Sequence, residues 1–170
     1  MVDCYADTDF LGIWGYENTQ DPICASSRTG FVVTFSYCPL LWVSKLYRDI
    51  ALSTLNSEYV ALYHSVRALF PMKILIKEVI DNLGIDSGRL KFVSSSNVYE
   101  DNNGSIVVAA TTRMTPTSNH ISVKYYCFRQ HVGKCFLIRK IESENQKSDI
   151  ITKVLQGEWF VSIKTLLCGW

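Results

Sequence analysis

The stretch VYEDNNGSI, residues 98–106, poses the chemical question for this chain. Asn103-Gly104 is a strong turn signal, so Glu100 and Asp101 can belong to a hairpin loop. Alternatively, the apolar run ending at Tyr99 is a strand, and Asp101 stands at its carboxyl end as a metal ligand. Three more carboxylates fall at the ends of expected elements: Asp7 on a first strand, Glu58 at the start of a long helix and Asp149 at the start of the last helix. Carboxylate oxygens are the ligands that hard divalent cations prefer. Taken singly, each of the four is more often a cap or a solvated side chain, and periodicity does not bring them together in space. Other chemistries find less support. Among the three histidines, His64, His120 and His131, no nucleophile-base-orienter set emerges for a serine or cysteine hydrolase. The six cysteines form no C-x-x-C pair and no zinc-ribbon or thioredoxin-like spacing.

The elements that must position these residues read as a layered α/β domain. VDCYADTD (2–9) alternates as a strand with Tyr5, Asp7 and Asp9 on one face. Residues 10–28 read as a loop. TGFVVTFSY (29–37) and LLWVSKL (40–46) are β-branched and aromatic runs parted by Cys38-Pro39, which predicts a tight antiparallel hairpin and a three-strand meander. Apolar positions from Val60 to Ile80 recur at helical spacing over about 57–83, with Glu58 expected in the first turn and Pro71 expected to kink or split the helix. Residues 91–99 predict a fourth strand, 104–110 a short helix, 118–132 another helix, 134–141 a fifth strand, and KSDIITKVLQ a further helix with Asp149 in its first turn. Strands and helices in this order make an α/β domain with a mixed sheet.

Size and charge narrow the class. A chain of 170 residues, 48% hydrophobic, fits one domain that buries a core without disulfide staples. Its most apolar window, 31–43, is interrupted by Thr34, Ser36 and Pro39 and falls short of the ~20 residues that span a bilayer. No secretion signal is visible at the amino terminus, so a reducing, cytosolic setting is expected. The net charge of +1 argues against coating nucleic acid by bulk charge. Distribution is more informative: from Asn102 to Ile141 there is no Asp or Glu, while Arg113, Lys124, Arg129, Lys134, Arg139 and Lys140 all fall there. Such charges are usually solvated faces. Beside an acidic pocket they can also form a basic wall for a polyanion.

Seven collinear segments then carry a resemblance. CYADTDFLGIWG, SRTGFVVTF, LLWVSKL, IALSTLNSEYVAL, VYEDNNGSI, NHISVKYYCFR and SDIITK resemble, in order and at suitable spacing, the motifs YxDADxAG, SRTGYV, SWxSKxQ, ALSTxEAEYxAL, YEDNxGAI, KHIDxRYHFxRE and ADxxTK of the ribonuclease H domain of copia-type retrotransposon polyproteins. The terminal LLCGW is also similar to the end of such polyproteins. The likeness spans nearly the whole chain. It implies a ribonuclease H-like fold with a mixed five-stranded sheet, a three-strand antiparallel meander first, and helices on its faces. A single domain over 1–170 is expected, with a core of about 2–156 and a polyprotein tail over 157–170.

Motif by motif, the resemblance implies that Asp7, Glu58, Asp101 and Asp149 are catalytic ligands of two Mg²⁺ ions, with Mn²⁺ as a substitute. Two such ions can clamp the attacking and leaving oxygens of an in-line displacement. The implied activity is endonucleolytic cleavage of the RNA strand of RNA·DNA hybrids during reverse transcription. Without metal, like charges should raise the carboxylate pKa values, and divalent ions should stabilise the fold. Asn102 is the candidate contact to the RNA 2′-hydroxyl, with helix capping as its alternative role; Ser53 and Thr54 are further candidates. His120, Lys124 and Arg129 complete the expected substrate surface. Asn56, Ser122 and Tyr126 depart from the family's Glu, Asp and His, and Asn119 from its Lys. None of these removes an implied ligand, but the lost charges leave open a catalytically impaired remnant that only binds nucleic acid or a polyprotein partner. Partners implied are the hybrid and the reverse transcriptase part of a parent polyprotein, with no membrane. The chain is expected to be a detached terminal piece, cytoplasmic or, within an intact element, in a virus-like particle.

Overall fold

The computed structural model describes residues 1–10, 12, 26–47, 51, 53–85, 96–111 and 128–170. Strand β1 (Val2–Asp9) lies at the centre of a five-stranded sheet of order β3-β2-β1-β4-β5. β2 (Arg28–Phe35) pairs antiparallel with β1 and with β3 (Cys38–Leu46), while β4 (Ser96–Glu100) runs parallel to β1 and to β5 (Leu137–Lys140). The meander is therefore present and the sheet is mixed. Every residue of β1 except Asp9 is buried, so both faces of this strand are covered, as expected where parallel pairing brings helices over the sheet.

One face carries α1 (Thr54–Asn82). Its residues Tyr59, Leu62, Val66 and Leu69 pack with Cys4, Ala6, Val33 and Val98 of the sheet in a single core. α2 (Asn103–Ala110) packs against α1, β4 and β5. The other face of the meander is met by α3 (Asp149–Thr152) and α4 (Gly157–Cys168), whose Ile163 is fully buried. The segment expected as a tail thus includes a helix. No helix among the described residues is long and apolar enough to cross a membrane.

Several local expectations change or fall partly outside the described residues. The β2–β3 turn falls at Ser36-Tyr37, both at positive φ (48° and 71°), not at Cys38-Pro39. This backbone matches the twist of a two-residue hairpin, and Pro39 is accommodated because β3 is an edge strand. Pro71 does not split α1, which runs through it without interruption. That helix also starts earlier than expected: Ser53 is the N-cap, accepting the Asn56 amide at 3.1 Å, so Glu58 lies beyond the first turn. Of the helix predicted over 118–132, residues 118–127 lie outside the described residues, and 128–131 form a 3-10 turn. The predicted strand at 91–99 is described only from Ser96, and it extends to Glu100.

A candidate metal centre of buried carboxylates

Asp7 sits near the carboxyl end of β1, and Asp101 follows the carboxyl end of the parallel neighbour β4. Parallel pairing puts both strand ends at the same edge, where α1 presents Glu58. Each of Asp7, Glu58 and Asp101 offers one carboxylate oxygen within 4.8 Å of the others. Asp7 and Glu58 are buried, and Asp101 is partly open to solvent. Three segments far apart in sequence therefore converge on one point.

The supporting bonds fix each carboxylate. Asp7 accepts the Thr152 hydroxyl on Oδ2 and the Lys153 ammonium on Oδ1, the latter at 3.0 Å. Thr152 can approach because its partner on the sheet is Gly30, directly opposite Asp7 in the β1–β2 ladder. A Cβ at Gly30 would stand 2.5 Å from Thr152 Cγ2. Asp101 Oδ2 accepts the Ser143 hydroxyl at 2.8 Å, and the Lys140 ammonium donates to the Asp101 carbonyl. Glu58 Oε2, by contrast, is buried with no hydrogen-bond partner.

Asp149 is fully buried but does not join the three-carboxylate cluster. It is linked to Asp7 through Lys153, whose Nζ is 3.0 Å from Asp149 Oδ1. Its Oδ2 has no hydrogen-bond partner. The residue that sequence reasoning passed over is Glu100. It is fully buried, with Oε1 accepting the Asn102 amide at 3.1 Å and Oε2 unpartnered. Its position beside Asp101 was visible in EDN; what was not visible is that it turns inward toward Glu58.

Electrostatics match this crowding. Burial, then the charges of Glu100, Asp7 and Asp101, push Glu58 well above the usual carboxylate range. Glu100 is likewise raised well above it, chiefly by burial. Burial raises Asp7 despite the opposing pull of Lys153, and raises Asp149 to about 7, with Asp7 adding to the effect. For Lys153, burial acts to lower the pKa, but the fields of Asp7 and Asp149 outweigh it and the net shift is upward. A cluster of buried carboxylates, with Glu58 Oε2, Glu100 Oε2 and Asp149 Oδ2 unpartnered, is a donor set that a hard divalent cation fits.

The expected substrate surface is partly described. Asn102 is the N-cap of α2, its Oδ1 accepting the Ser105 amide at 3.1 Å, so the capping role is realised while its side-chain NH₂ is not used by that bond. Ser53 caps α1, and Thr54 is exposed beside it. Arg129 Nε donates to the Tyr59 hydroxyl at 2.8 Å, next to Glu58 in sequence. His120 and Lys124 lie outside the described residues, as do Asn119, Ser122 and Tyr126. Asn56 is the third residue of α1, where a Glu could return a bond to the Ser53 amide; its shorter Oδ1 is buried and unpartnered. His131 stacks edge-on to Phe70 and His64 to Tyr63, packing roles at a helix surface.

Comparison with known proteins bears on the fold. No protein-family model matches the chain. It is 28% identical over 164 residues, 96% of its length, to the "Retrovirus-related Pol polyprotein from transposon TNT 1-94" of Nicotiana tabacum, and spans only 11% of that protein. Among solved structures, it is similar to the N-terminal RNase H domain of Mycobacterium tuberculosis rv2228c (TM-score 0.51, 13% identity, 96% of each chain). It is also similar to LC11-RNase H1 in complex with an RNA/DNA hybrid (0.53, 15%, 89% of this chain and 93% of that one). RNase H1 from Halobacterium salinarum matches at 0.50 and 12%, covering 88% and 92%. By sequence the chain is similar to a transposon Pol polyprotein, and its fold is ribonuclease H-like.

Proposed function

We propose that this chain is the ribonuclease H domain of a retrotransposon Pol polyprotein, a divalent-metal-dependent endonuclease that hydrolyses the RNA strand of RNA·DNA hybrids. The convergence of Asp7, Glu58 and Asp101 within 4.8 Å, from β1, α1 and the end of β4, carries this reading. The similarity to a Pol polyprotein and to ribonuclease H folds supports it. Asp7, Glu58 and Asp101 would hold Mg²⁺ or Mn²⁺, with Asp149 on the far side of Lys153. When bound, such ions supply Lewis-acid activation and charge neutralisation at the scissile phosphodiester.

The chain's own residues set the geometry. Thr152 and Lys153 hold the two oxygens of Asp7, and Ser143 holds one oxygen of Asp101, so neither carboxylate has to be ordered when substrate arrives. Asn102 keeps its NH₂ group for the ribose 2′-hydroxyl, the group that tells RNA from DNA. Ser53, Thr54, Arg129, Lys124 and His120 would meet the backbones of the hybrid. The hybrid and the polymerase part of the same polyprotein are the partners, in the cytoplasm or in a particle formed by the element.

Incubation with an end-labelled RNA·DNA hybrid and Mn²⁺ tests the proposal. Cleavage of the RNA strand that is lost in Asp101→Asn is the expected result. Activity no greater than that of Asp101→Asn would refute it and favour a remnant that has kept only the fold.

A further inference from the structure

Lys153 stands where a cation belongs. It lies at the C-cap of α3, one helical turn after Asp149, and its ammonium is 3.0 Å from one oxygen of Asp149 and 3.0 Å from one oxygen of Asp7. Both aspartates are fully buried, whereas the lysine side chain keeps 29% of its surface in contact with solvent. No other cationic group is paired with these two carboxylates among the described residues. Two buried carboxylates sharing one positive charge need it, because leaving either charge uncompensated in the interior is costly. The ammonium satisfies both. Asp149 is not among the carboxylates that converge with Asp7 at Glu58 and Asp101.

We propose that Lys153 is a built-in cation that holds the Asp7–Asp149 position, so that the chain loads a first divalent ion at Asp7, Glu58 and Asp101 and admits a second only by displacing this lysine. The inference rests on the metal-centre reading above and adds an order of loading to it. The physical basis is competition. A divalent ion entering between Asp7 and Asp149 meets a like charge already at hydrogen-bond distance, and the ammonium must leave with its solvent-exposed stem. A flexible four-carbon chain with partial solvent access allows that withdrawal. Lys153 is thus a positioning residue that organises two ligands in the metal-free state and gates the second ion.

Mn²⁺ binding to the intact chain, followed by electron paramagnetic resonance of free Mn²⁺, reads the proposal without catalysis. In the wild type, the first ion binds at least about tenfold more tightly than the second. In Lys153→Met, the second ion tightens by about tenfold or more while the first changes little. An unchanged second affinity in Lys153→Met overturns the proposal. Should that variant fail to fold, acetic anhydride labelling of the wild type with mass-spectrometric readout serves instead. Lys153 is expected to be protected at low Mn²⁺ and to become reactive as the second ion loads. Free labelling without metal, or continued protection with two ions bound, overturns the proposal. Absence of any Mn²⁺ binding to the wild type overturns the metal-centre reading itself, whereas two ions of equal affinity overturn only the role of Lys153.

Discussion

Substituting Gly30 by Ala tests whether the approach of α3 to the sheet is what builds the site. Gly30 lies opposite Asp7 in the β1–β2 ladder, and an added Cβ would fall 2.5 Å from Thr152 Cγ2 and 3.2 Å from Ile151 Cδ1. Thr152 cannot turn away freely, since its hydroxyl is engaged by Asp7 Oδ2 and the Ser148 carbonyl. Ordinary contact begins near 3.4 Å, so either α3 lifts by roughly 1 Å or the Thr152 rotamer changes. Overpacking of this kind costs about 1–3 kcal/mol, and losing the Thr152–Asp7 bond adds about 1 kcal/mol. The entropy that alanine removes from the unfolded chain offsets about 0.4–1 kcal/mol. A net loss of about 1–4 kcal/mol remains, read as a fall in Tm of about 2–14 °C for a domain of this size. Urea denaturation of the metal-free protein measures it directly. A Gly30→Ala variant as stable as the wild type would refute the close-approach argument, and unaltered Mn²⁺ affinity would show that Asp7 does not depend on α3.

Other perturbations separate the contributions at the site. Asp149, Glu58, Glu100 and Asp7 all have raised pKa values, so between the unfolded carboxylate value of about 4 and the folded values the native state binds more protons than the unfolded one. Metal-free stability should therefore fall as pH rises from about 4 through about 7, and Asp149→Asn should flatten that slope; thermal melts in EDTA check both. Glu100→Gln keeps an oxygen for the Asn102 amide but removes a carboxyl whose ionisation burial disfavours, and should raise the Tm in EDTA; a lower Tm would mean that the Glu100 carboxyl itself is needed. Mn²⁺ at 100 times its Kd should add about 2.7 kcal/mol of stability, and Glu58→Gln should remove most of it. Asn102→Ser retains an N-cap oxygen for the Ser105 amide and should keep the Tm while weakening preference for hybrid over duplex DNA in competition binding.

Much of the scaffold was legible because periodicity reports burial. β1 matches its expected span and α2 begins one residue before its own, as short elements with clear polar or turn residues at their ends. The VYEDNNGSI ambiguity resolved as a strand end followed by a helix start, because Asn102 caps α2 where Asn103-Gly104 would otherwise turn a hairpin. The β2–β3 turn leaves no sequence signal, because Ser36-Tyr37 lacks the glycine or asparagine that normally marks positive φ, whereas Pro39 has the form of a breaker and is an edge-strand residue. α1 begins before its apolar repeat does, because its first turn is polar and its cap is Ser53. Which carboxylates meet was not legible from spacing at all. The parallel β1–β4 pairing brings Asp7 and Asp101 together, and long-range pairing leaves no local trace. Even with motifs matched residue by residue, the shared ammonium between Asp7 and Asp149 and the inward turn of Glu100 depended on side-chain geometry.

The metal centre is most directly tested by a crystal of the chain soaked in Mn²⁺, with anomalous scattering recorded at the manganese edge. The expected result is a peak bounded by carboxylate oxygens of Asp7, Glu58 and Asp101 at about 2.0–2.3 Å. Saturating Mn²⁺ with no peak there, or with the only peaks on surface carboxylates elsewhere, would contradict it.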